Sequence, residues 1–255
     1  MRPIEFFLLI LILASNAAAV PSDVRDKQKR IKIYMAAGLF NGAQTRFNSD
    51  LARRLEKNYE IVLPQRDGFE FGSLTAALEG KLPAQDVRPA VDDIIYSLDM
   101  GRFIPSSDVV VANLDEPIDE GLAVEITHAR LLGKPVIGFR TDIRSPYGSA
   151  LDALGGIHTF VAYQCRYFIR HYMPGKNDGE LDALAEKISA AVQKTRASRP
   201  DSRPIGGAPS DVVDTADFLF NGIDDIHSKA GLGEVVRRFS DDWGRLKKIR
   251  PEIFR

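Results

Sequence analysis

The chain has 255 residues, of which 44% are hydrophobic and 27% charged, and its formal net charge is −1 at pH 7. A chain of this length and apolar content can bury the core of one globular domain and still carry appendages. The near-neutral charge excludes a disordered polyelectrolyte and argues against nucleic-acid binding through a basic face. The single cysteine, Cys165, cannot close an internal disulfide and lacks the spacing of a metal site, so we interpret it as a buried thiol.

The N-terminus has the pattern of a secretory signal peptide. An arginine precedes an apolar run from Phe6 to Ala14, and small residues follow up to Ala19. The run is shorter than the about twenty residues of a membrane span, so it favours cleavage near Ala19 over permanent anchoring. We therefore expect residues 1–19 to be removed and the mature protein to be periplasmic or secreted, without stable membrane association. A cytoplasmic location follows if the assigned start lies upstream of the true one.

In chain order, the rest of the sequence alternates between β-branched runs and helical stretches. Strands are predicted at residues 31–36, 60–63, 109–112, 135–139 and 158–162. Helices are predicted at 47–57 with Asn48 or Ser49 as the cap, at 85–100, between the third and fourth strands, and at 179–193. The pattern of residues 70–84 predicts neither a strand nor a helix. Alternation of this kind predicts an α/β fold: a flavodoxin-like or Rossmann-like doubly wound five-stranded parallel sheet with strand order 2-1-3-4-5.

A helical extension follows the predicted catalytic domain at 30–195. Residues 196–210 hold three prolines and two adjacent glycines, which is typical of an exposed linker. Residues 211–255 read as two helical pieces with apolar residues at a spacing of three and four. About forty residues are too few for an independent core, so we expect this extension to pack on the catalytic domain or on a neighbouring subunit.

The segment between the third and fourth strands carries acidic residues where α/β sheets keep their chemistry. Asp119 lies at the turn after the third strand, and Glu125 lies about one turn into the following helix. Ligands of such sheets bind beyond the carboxyl ends of the strands, so residues 113–121 should line a pocket. Spacing alone does not separate a catalytic role for Glu125 from a simple interaction with the helix dipole.

Four motifs in order resolve this choice. They are IYMAAGLFN at 33–41, LPQRDGF at 63–69, Asp99 before SSDVVVANLD at 106–115, and DEGLAVEITHA with GKPVIGFRTDIR at 119–144. Together they resemble the nucleoside 2-deoxyribosyltransferase family, which includes related nucleotide N-glycosidases. The resemblance covers roughly residues 31–143.

The resemblance implies a role for each matching residue. Glu125 corresponds to the nucleophile and Asp99 to the acid beside the leaving base, although Asp92 or Asp93 could fill that second role. Tyr34 would hold Glu125 through its phenol; without the family it would be interpreted as a half-buried strand aromatic. The residues expected to contact the substrate, with Asp119 at the sugar hydroxyl, are Asp119, Gly38, Phe40, Arg66, Asp67 and Gly121.

These residue types suit the chemistry that the resemblance implies. Splitting an N-glycosidic bond builds oxocarbenium character at the sugar and negative charge on the departing base, which a carboxylate and a proton donor can stabilise. Attack by Glu125 would form a covalent glycosyl ester; a second base could capture it to give transfer, whereas water would give hydrolysis. No metal or organic cofactor is needed. The expected partners are a nucleoside and a free nucleobase, and the resemblance implies a homo-oligomer.

Two departures from the family pattern bear on the substrate and on the mechanism. Relatives that hydrolyse nucleoside monophosphates tend to have serine at the position of Asp119, and an aspartate there would repel a phosphate, which favours free nucleosides. Inward-pointing Arg46, Arg66 or Arg140 would restore phosphate binding. His128, three residues after Glu125, is either an acid or base of the site or a structural histidine, and the structural role is the commoner one.

Three hypotheses follow from these residues. The first is a nucleoside deoxyribosyltransferase, the second is a nucleoside or nucleotide N-hydrolase with the same nucleophile, and the third is a non-catalytic nucleotide-binding or sensing module. Fold class cannot separate them. The acidity of Asp99, Asp119 and Glu125 argues against the third, because binding a neutral nucleoside does not require three carboxylates.

Overall fold

The computed structural model describes residues 30–149, 154–175, 177, 179–197 and 210–242. The predicted signal peptide at 1–19, most of the predicted linker at 196–210, and the end of the C-terminal extension lie outside the described residues. Within the described part of the chain, no helix combines the length and the apolar character that crossing a membrane requires.

A five-stranded parallel sheet forms the centre of the protein. Its strands are β1 (Lys32–Ala36), β2 (Glu60–Val62), β3 (Val109–Asn113), β4 (Val136–Arg140) and β5 (Tyr167–Arg170). The spatial order is β2-β1-β3-β4-β5, and every neighbouring pair is parallel. The predicted flavodoxin-like α/β fold and its strand order are confirmed.

Helices cover both faces of the sheet. Before β3 they are α1 (Gly42–Leu55), α2 (Pro64–Asp67), α3 (Phe71–Leu78) and α4 (Ala84–Leu98). A π-helical segment (Asp99–Phe103), called the π turn below, and α5 (Ile104–Ser106) continue α4. After β3 follow α6 (Glu120–Leu131), α7 (Thr159–Ala162), α8 (Gly179–Ala197), α9 (Ser210–Phe220) and α10 (Lys229–Asp241).

Each face of the sheet has its own buried core, because side chains alternate between the two sides of a strand. Tyr34 and Ala36 of β1 belong to the core beneath α3, α4, α6, α9 and α10. Ile33 and Met35 face the opposite core, which α1 and α8 cover. The alternation therefore directs the Tyr34 side chain towards the face that carries α6 and the π turn.

The first helix begins earlier than predicted. Asn41 is its cap, rather than Asn48 or Ser49, and the Asn41 side chain accepts two backbone N–H groups at 3.0 Å. The opening turn of α1 is polar and largely exposed, so it lacks the apolar period on which the prediction relied, and that period starts only near Phe47. Asn48 is instead buried within the helix, where its amide donates to the Gly38 carbonyl at 3.0 Å.

The fifth strand lies later in the chain than predicted. Residues 158–162 hold the cap and body of α7, where the His158 ring accepts the Phe160 N–H at 3.2 Å. The strand itself is β5, at the edge of the sheet, and its side chains are only partly buried or exposed. An edge strand need not carry the continuous apolar run of a central parallel strand, so its sequence did not predict it.

The connection between β2 and β3 contains more helix than predicted. α3 occupies part of residues 70–84, and the Glu70 carboxylate caps it by accepting the N–H groups of Gly72 at 2.9 Å and Ser73 at 2.6 Å. The helix predicted at 85–100 ends its α-helical part at Leu98 and continues as the π turn. The prediction relied on apolar residues that recur with the α-helical period of 3.6 residues, and this period does not distinguish a π-helical turn from an α-helical one.

The C-terminal extension packs on the same chain. Its buried side chains join the core beneath α3, α4 and the π turn; among them are Leu219, Phe220, Val235, Val236 and Phe239. Arg102 of the π turn donates to the carbonyl oxygens of Phe220 at 3.1 Å and Ile223 at 3.3 Å. The described part of the extension therefore packs on the predicted catalytic domain, which is one of the two partners expected from the sequence.

Candidate active site

The three residues predicted to be catalytic form one cluster, although they come from three elements. Tyr34 lies on β1, Asp99 begins the π turn, and Glu125 lies on α6. Burial, followed by the charges of Glu125 and Asp99, raises the pKa of the Tyr34 phenol well above its usual value. The alternative acid Asp92 is exposed and pairs with Arg88 at 3.2 Å. Of Asp99 and Asp92, the structure therefore brings only Asp99 into this cluster.

Tyr34 contributes a buried hydroxyl. Its side chain is fully buried, and its oxygen makes no hydrogen bond of standard geometry with the described residues. It nevertheless lies close enough to Glu125 to favour the ionised carboxylate and so to oppose the rise of the Glu125 pKa. A buried hydroxyl without a hydrogen-bond partner costs free energy. A hydrogen bond from the Tyr34 hydroxyl to an ionised Glu125 carboxylate would therefore be favourable.

The two carboxyl groups have strongly raised pKa values. Burial raises the pKa of Asp99 to about 7. Burial also raises the pKa of Glu125 to about 8, with further contributions from the charges of Asp99 and Asp119. Both side chains are surrounded by protein yet keep some solvent-accessible surface, as expected for groups that meet a ligand. Burial thus favours the protonated form of each carboxyl, and because the two groups interact, their titration belongs to the pair rather than to either residue.

Asp119 is the cap of α6 and borders the cluster. One carboxylate oxygen accepts the Leu122 N–H at 3.0 Å, so this aspartate begins the helix that carries Glu125. A Cβ atom at Gly121 would lie 3.0 Å from that same oxygen, which explains the small residue there. Asp119 thus has a structural role as well as the sugar contact that the resemblance implies.

A cavity of about 340 Å³ lies beside Asp119, at the carboxyl ends of β1 and β3. This volume is within the range of small-molecule sites. Residues from the loop after β1, the start of α1 and the loop after β3 line it, including Gly38, Gln44, Phe47, Asn113, Asp115, Glu116, Asp119 and Arg144. Three of these residues are acidic and one is basic, so the cavity is better suited to a neutral ligand than to an anion.

The loop after β1 is held in shape by α1. The Asn48 amide donates to the Gly38 carbonyl at 3.0 Å, and a Cβ atom at Gly38 would lie 2.8 Å from the Gln44 amide nitrogen. The Gln44 side-chain oxygen accepts the Phe40 N–H at 3.0 Å. Gly38 lines the cavity, whereas the Phe40 side chain is 73% exposed and does not line it, and a substrate contact for either residue stays a prediction.

Of the predicted site residues, only Gly38 and Asp119 line this cavity. The predicted residues that do not line it are Tyr34, Phe40, Arg66, Asp67, Asp99, Gly121 and Glu125. Arg66 forms ion pairs with Asp67 and Glu56 and donates to the Ile61 carbonyl at 2.9 Å. The Asp67 carboxylate accepts the Leu63 N–H at 2.7 Å. These contacts shape the turn after β2, so a substrate contact for Arg66 and Asp67 stays a prediction.

None of the three arginines proposed to restore phosphate binding lines the cavity. Arg140 is 3% exposed and pairs with Asp142 at 3.0 Å and with Glu116 at 3.5 Å. The cavity arginine is instead Arg144, which pairs with Asp142 at 2.6 Å. Sequence analysis did not single out Arg144; its position at the end of the fourth motif was the available signal.

The other reactive side chains are bound or buried. His128 is 5% exposed, and its Nε2 atom lies 2.8 Å from the Met100 carbonyl oxygen, which supports the structural interpretation. Cys165 is partly buried, and burial raises its pKa to about 12. Within the described ranges, no three His, Cys, Asp or Glu side chains are grouped as metal ligands would be.

Comparison with known proteins places the sequence in a family. The sequence profile of the family described as Nucleoside 2-deoxyribosyltransferase matches residues 33–194, which is well over half of the chain. Among solved structures, the chain is similar to the CMP N-glycosidase BcmB of Clostridium botulinum, with 16% identity, coverage of 62% of this chain and 98% of that chain, and a TM-score of 0.31. No curated protein matches. The chain belongs to the nucleoside 2-deoxyribosyltransferase family, as its four motifs predicted.

Proposed function

We propose that the protein cleaves the N-glycosidic bond of a nucleoside and transfers the (deoxy)ribosyl group to a second nucleobase through an ester with Glu125. The observation that carries this proposal is the cluster in which Asp99 and Glu125 meet beside the buried Tyr34 phenol, where burial raises the pKa of both carboxyls. One protonated and one ionised carboxyl are what the two halves of the reaction need.

The proposed reaction proceeds in two balanced steps. The reactive form has its proton on Asp99 and not on Glu125, although the Glu125 pKa is the higher of the two. In that form the Glu125 carboxylate attacks the anomeric carbon while the bond to the base breaks and Asp99 protonates the departing base. A second base then attacks the anomeric carbon of the ester, passes its proton to Asp99 and releases Glu125, so configuration is retained. The Tyr34 phenol stabilises ionised Glu125, and its own raised pKa keeps it a neutral donor throughout.

Free nucleosides are the favoured substrate class. Asp115, Glu116 and Asp119 line the cavity, while its one lining arginine, Arg144, is already paired with Asp142 at 2.6 Å. A phosphate dianion would meet net negative charge there, whereas a neutral nucleoside would not.

Hydrolysis is the second candidate, since the same ester is released when water replaces the acceptor base. A non-catalytic nucleotide-binding module is disfavoured, because keeping two carboxyls half-buried with raised pKa values costs stability that neutral ligand binding does not require.

A product assay distinguishes the three functions. The chain from Pro21 onward is incubated with deoxynucleosides, with and without a second free base, and the products are separated by chromatography. A new nucleoside that forms only with added base establishes transfer, and release of base in both cases establishes hydrolysis. If neither occurs, monophosphates are tested next, and their inertness would support the binding module.

We also propose that the mature protein acts outside the cytoplasm and assembles as a homo-oligomer. The first proposal rests on the apolar run at residues 6–14 and the second on the family alone. N-terminal sequencing of the protein from fractionated cells tests the first, and an intact chain starting at Met1 in the cytoplasm would contradict it. Light scattering of the purified protein tests the second, which a monomeric mass would contradict.

A further inference from the structure

A buried hydrogen bond joins the turn that bears the acid to the helix that bears the nucleophile. The Nε2 atom of His128 lies 2.8 Å from the carbonyl oxygen of Met100. His128 follows Glu125 by three residues, so their side chains lie on neighbouring turns of one side of α6. Met100 directly follows Asp99. The bond therefore connects the two elements close to both candidate catalytic carboxyls.

The Met100 carbonyl needs a donor from outside its own turn. In the π turn, the Ile104 N–H bonds to the carbonyl of Asp99, five residues earlier. The next residue is Pro105, which has no N–H to give the Met100 carbonyl in the same pattern. Met100 is 5% exposed, and a buried carbonyl without a donor is costly. His128 thus supplies a bond that the local sequence omits.

The bond determines the protonation of His128. The side chain is 5% exposed, and burial lowers its pKa. A carbonyl oxygen only accepts, so the neutral ring carries its proton on Nε2. A neutral imidazole adds no charge near Glu125, and it could transfer the Nε2 proton only by breaking the bond to Met100. This geometry supports a positional role rather than acid or base catalysis.

We propose that His128 is a positioning residue that sets the separation of Asp99 and Glu125. The inference rests on the proposed function of those two carboxyls. Attack on the sugar and protonation of the base must occur at the two ends of one glycosidic bond, and a displacement of about 1 Å can lower the rate about 100-fold. The bond between His128 and Met100 opposes displacement of the π turn relative to α6.

Two variants of His128 test this role. His128→Leu removes the donor and keeps an apolar side chain, whereas His128→Gln places an amide N–H near the position of Nε2. We expect His128→Leu to lower kcat by about 10- to 100-fold with KM nearly unchanged. His128→Gln should recover most of the loss. Wild-type kcat in His128→Leu would overturn the proposal.

A second substitution separates positioning from stability. Pro105→Ala in the His128→Leu background returns an N–H to the Met100 carbonyl without joining the π turn to α6. We expect the melting temperature to recover and kcat to stay low. Recovery of kcat together with the melting temperature would show that His128 only satisfies a buried carbonyl, and the proposal would be rejected.

A pH titration of the two carboxyls tests the positioning role of His128 without measuring turnover. The carboxyl ¹³C resonances of Asp99 and Glu125 are followed by NMR in the wild-type chain and both His128 variants. We expect the higher apparent pKa of the pair to fall in His128→Leu, since greater separation weakens the repulsion, and to return in His128→Gln. An unchanged titration would overturn the positioning role. The expected change in a protein that turns over no nucleoside would instead reject the proposed function alone.

Discussion

The two halves of the candidate site are held in place in different ways. α6, which carries Glu125, is a regular helix with its own cap, since the Asp119 carboxylate accepts the Leu122 N–H at 3.0 Å. The π turn, which carries Asp99, begins without a side-chain cap. It is held instead by His128, 28 positions away in the chain, and through Arg102 by the Phe220 carbonyl, 118 positions away.

The proposed nucleophile is therefore held mainly by local contacts and the proposed acid mainly by tertiary contacts. A substitution far from the cavity should then disturb Asp99 before it disturbs Glu125. The cap and the helix that hold Glu125 form from adjacent residues, whereas the π turn is also held by contacts with α6 and with the C-terminal extension. The predictions below test this comparison.

The largest effect is expected for Glu125→Gln. Loss of the nucleophile should lower turnover by about 10⁴-fold or more, while the fold is retained because a neutral amide is less costly to bury than a carboxylate. Steady-state kinetics and thermal unfolding measure the two quantities. Glu120→Gln, an exposed carboxyl at the start of the same helix, is the matched control and should be near normal. Near-normal turnover in Glu125→Gln would mean that another residue attacks.

Asp99→Asn should follow, with a rate lower by about 10²- to 10⁴-fold, the usual contribution of a general acid. The amide keeps the shape of the side chain but cannot protonate the leaving base. Asp92→Asn, on the exposed side of α4, is its control and should leave the rate unchanged. A substrate with a leaving group that needs no proton should restore much of the Asp99→Asn rate, and failure to do so would contradict the assignment of Asp99 as the acid.

The same pair predicts a pH profile. Activity needs one proton on the two carboxyls, so kcat/KM should be highest between about pH 7 and pH 8, where the pKa values of Asp99 and Glu125 lie. Below this window both groups are protonated and no nucleophile remains, and above it no acid remains. In Asp99→Asn the basic limb should be lost, because no Asp99 proton remains to be removed, and the remaining Glu125 titration should lie below about pH 8, because the Glu125 pKa loses the contribution of the Asp99 charge. A Glu125 titration that stays near pH 8 in this variant would mean that the two groups are not coupled.

A smaller effect is expected for Arg102→Met, which removes the donors to the Phe220 and Ile223 carbonyls. The free energy of unfolding should fall by about 1–3 kcal/mol, since these partly buried acceptors lose their charged donor. If the extension holds the acid, kcat should also fall and the pH profile should shift, unlike in the exposed control Arg88→Met. A stability loss with an unchanged pH profile would show that the extension supports the fold without positioning Asp99.

The smallest effect is expected for Asp119→Ser. Serine keeps the cap of α6 but removes a charge from the cavity, so activity on monophosphates relative to nucleosides should rise about fivefold, corresponding to about 1 kcal/mol. Asp119→Asn also caps and is also neutral, so it should shift the ratio similarly. An unchanged ratio in both variants would remove the charge argument for free nucleosides.

Sequence patterns predicted the central elements because their burial is high on both sides. β1, β3 and β4 are almost wholly buried, so their apolar runs are continuous, and the parallel order followed from strand and helix alternation. The same reasoning failed for β5, whose edge position relaxes the pattern, and for the start of α1, whose first turn is polar. The sequence pattern thus predicts a strand or helix well only where burial is uniform along its whole length.

The candidate site shows the same difference between what sequence motifs predict and what depends on tertiary contacts. The resemblance of the four motifs to the family predicted Glu125, Asp119, Tyr34 and Asp99, with Asp92 or Asp93 as alternatives to Asp99, as site residues, and their catalytic roles stay predictions. Arg144 was missed, because whether an exposed-type arginine lines a cavity depends on the path of its loop. The roles of Pro105 and His128 were also hidden, since a missing N–H in one turn and its replacement from another helix are visible only in three dimensions.

The sequence by itself determined the family, the parallel sheet and the residue types of the candidate site, because these depend on local periodicity and on motifs in a known order. Only the tertiary structure decided that Asp99 and Glu125 come together beside a buried phenol, with pKa values raised to about 7 and about 8. It also decided that the extension packs on the π turn. The physical reason is that desolvation and charge coupling depend on which groups pack together, and packing joins residues that are distant along the chain.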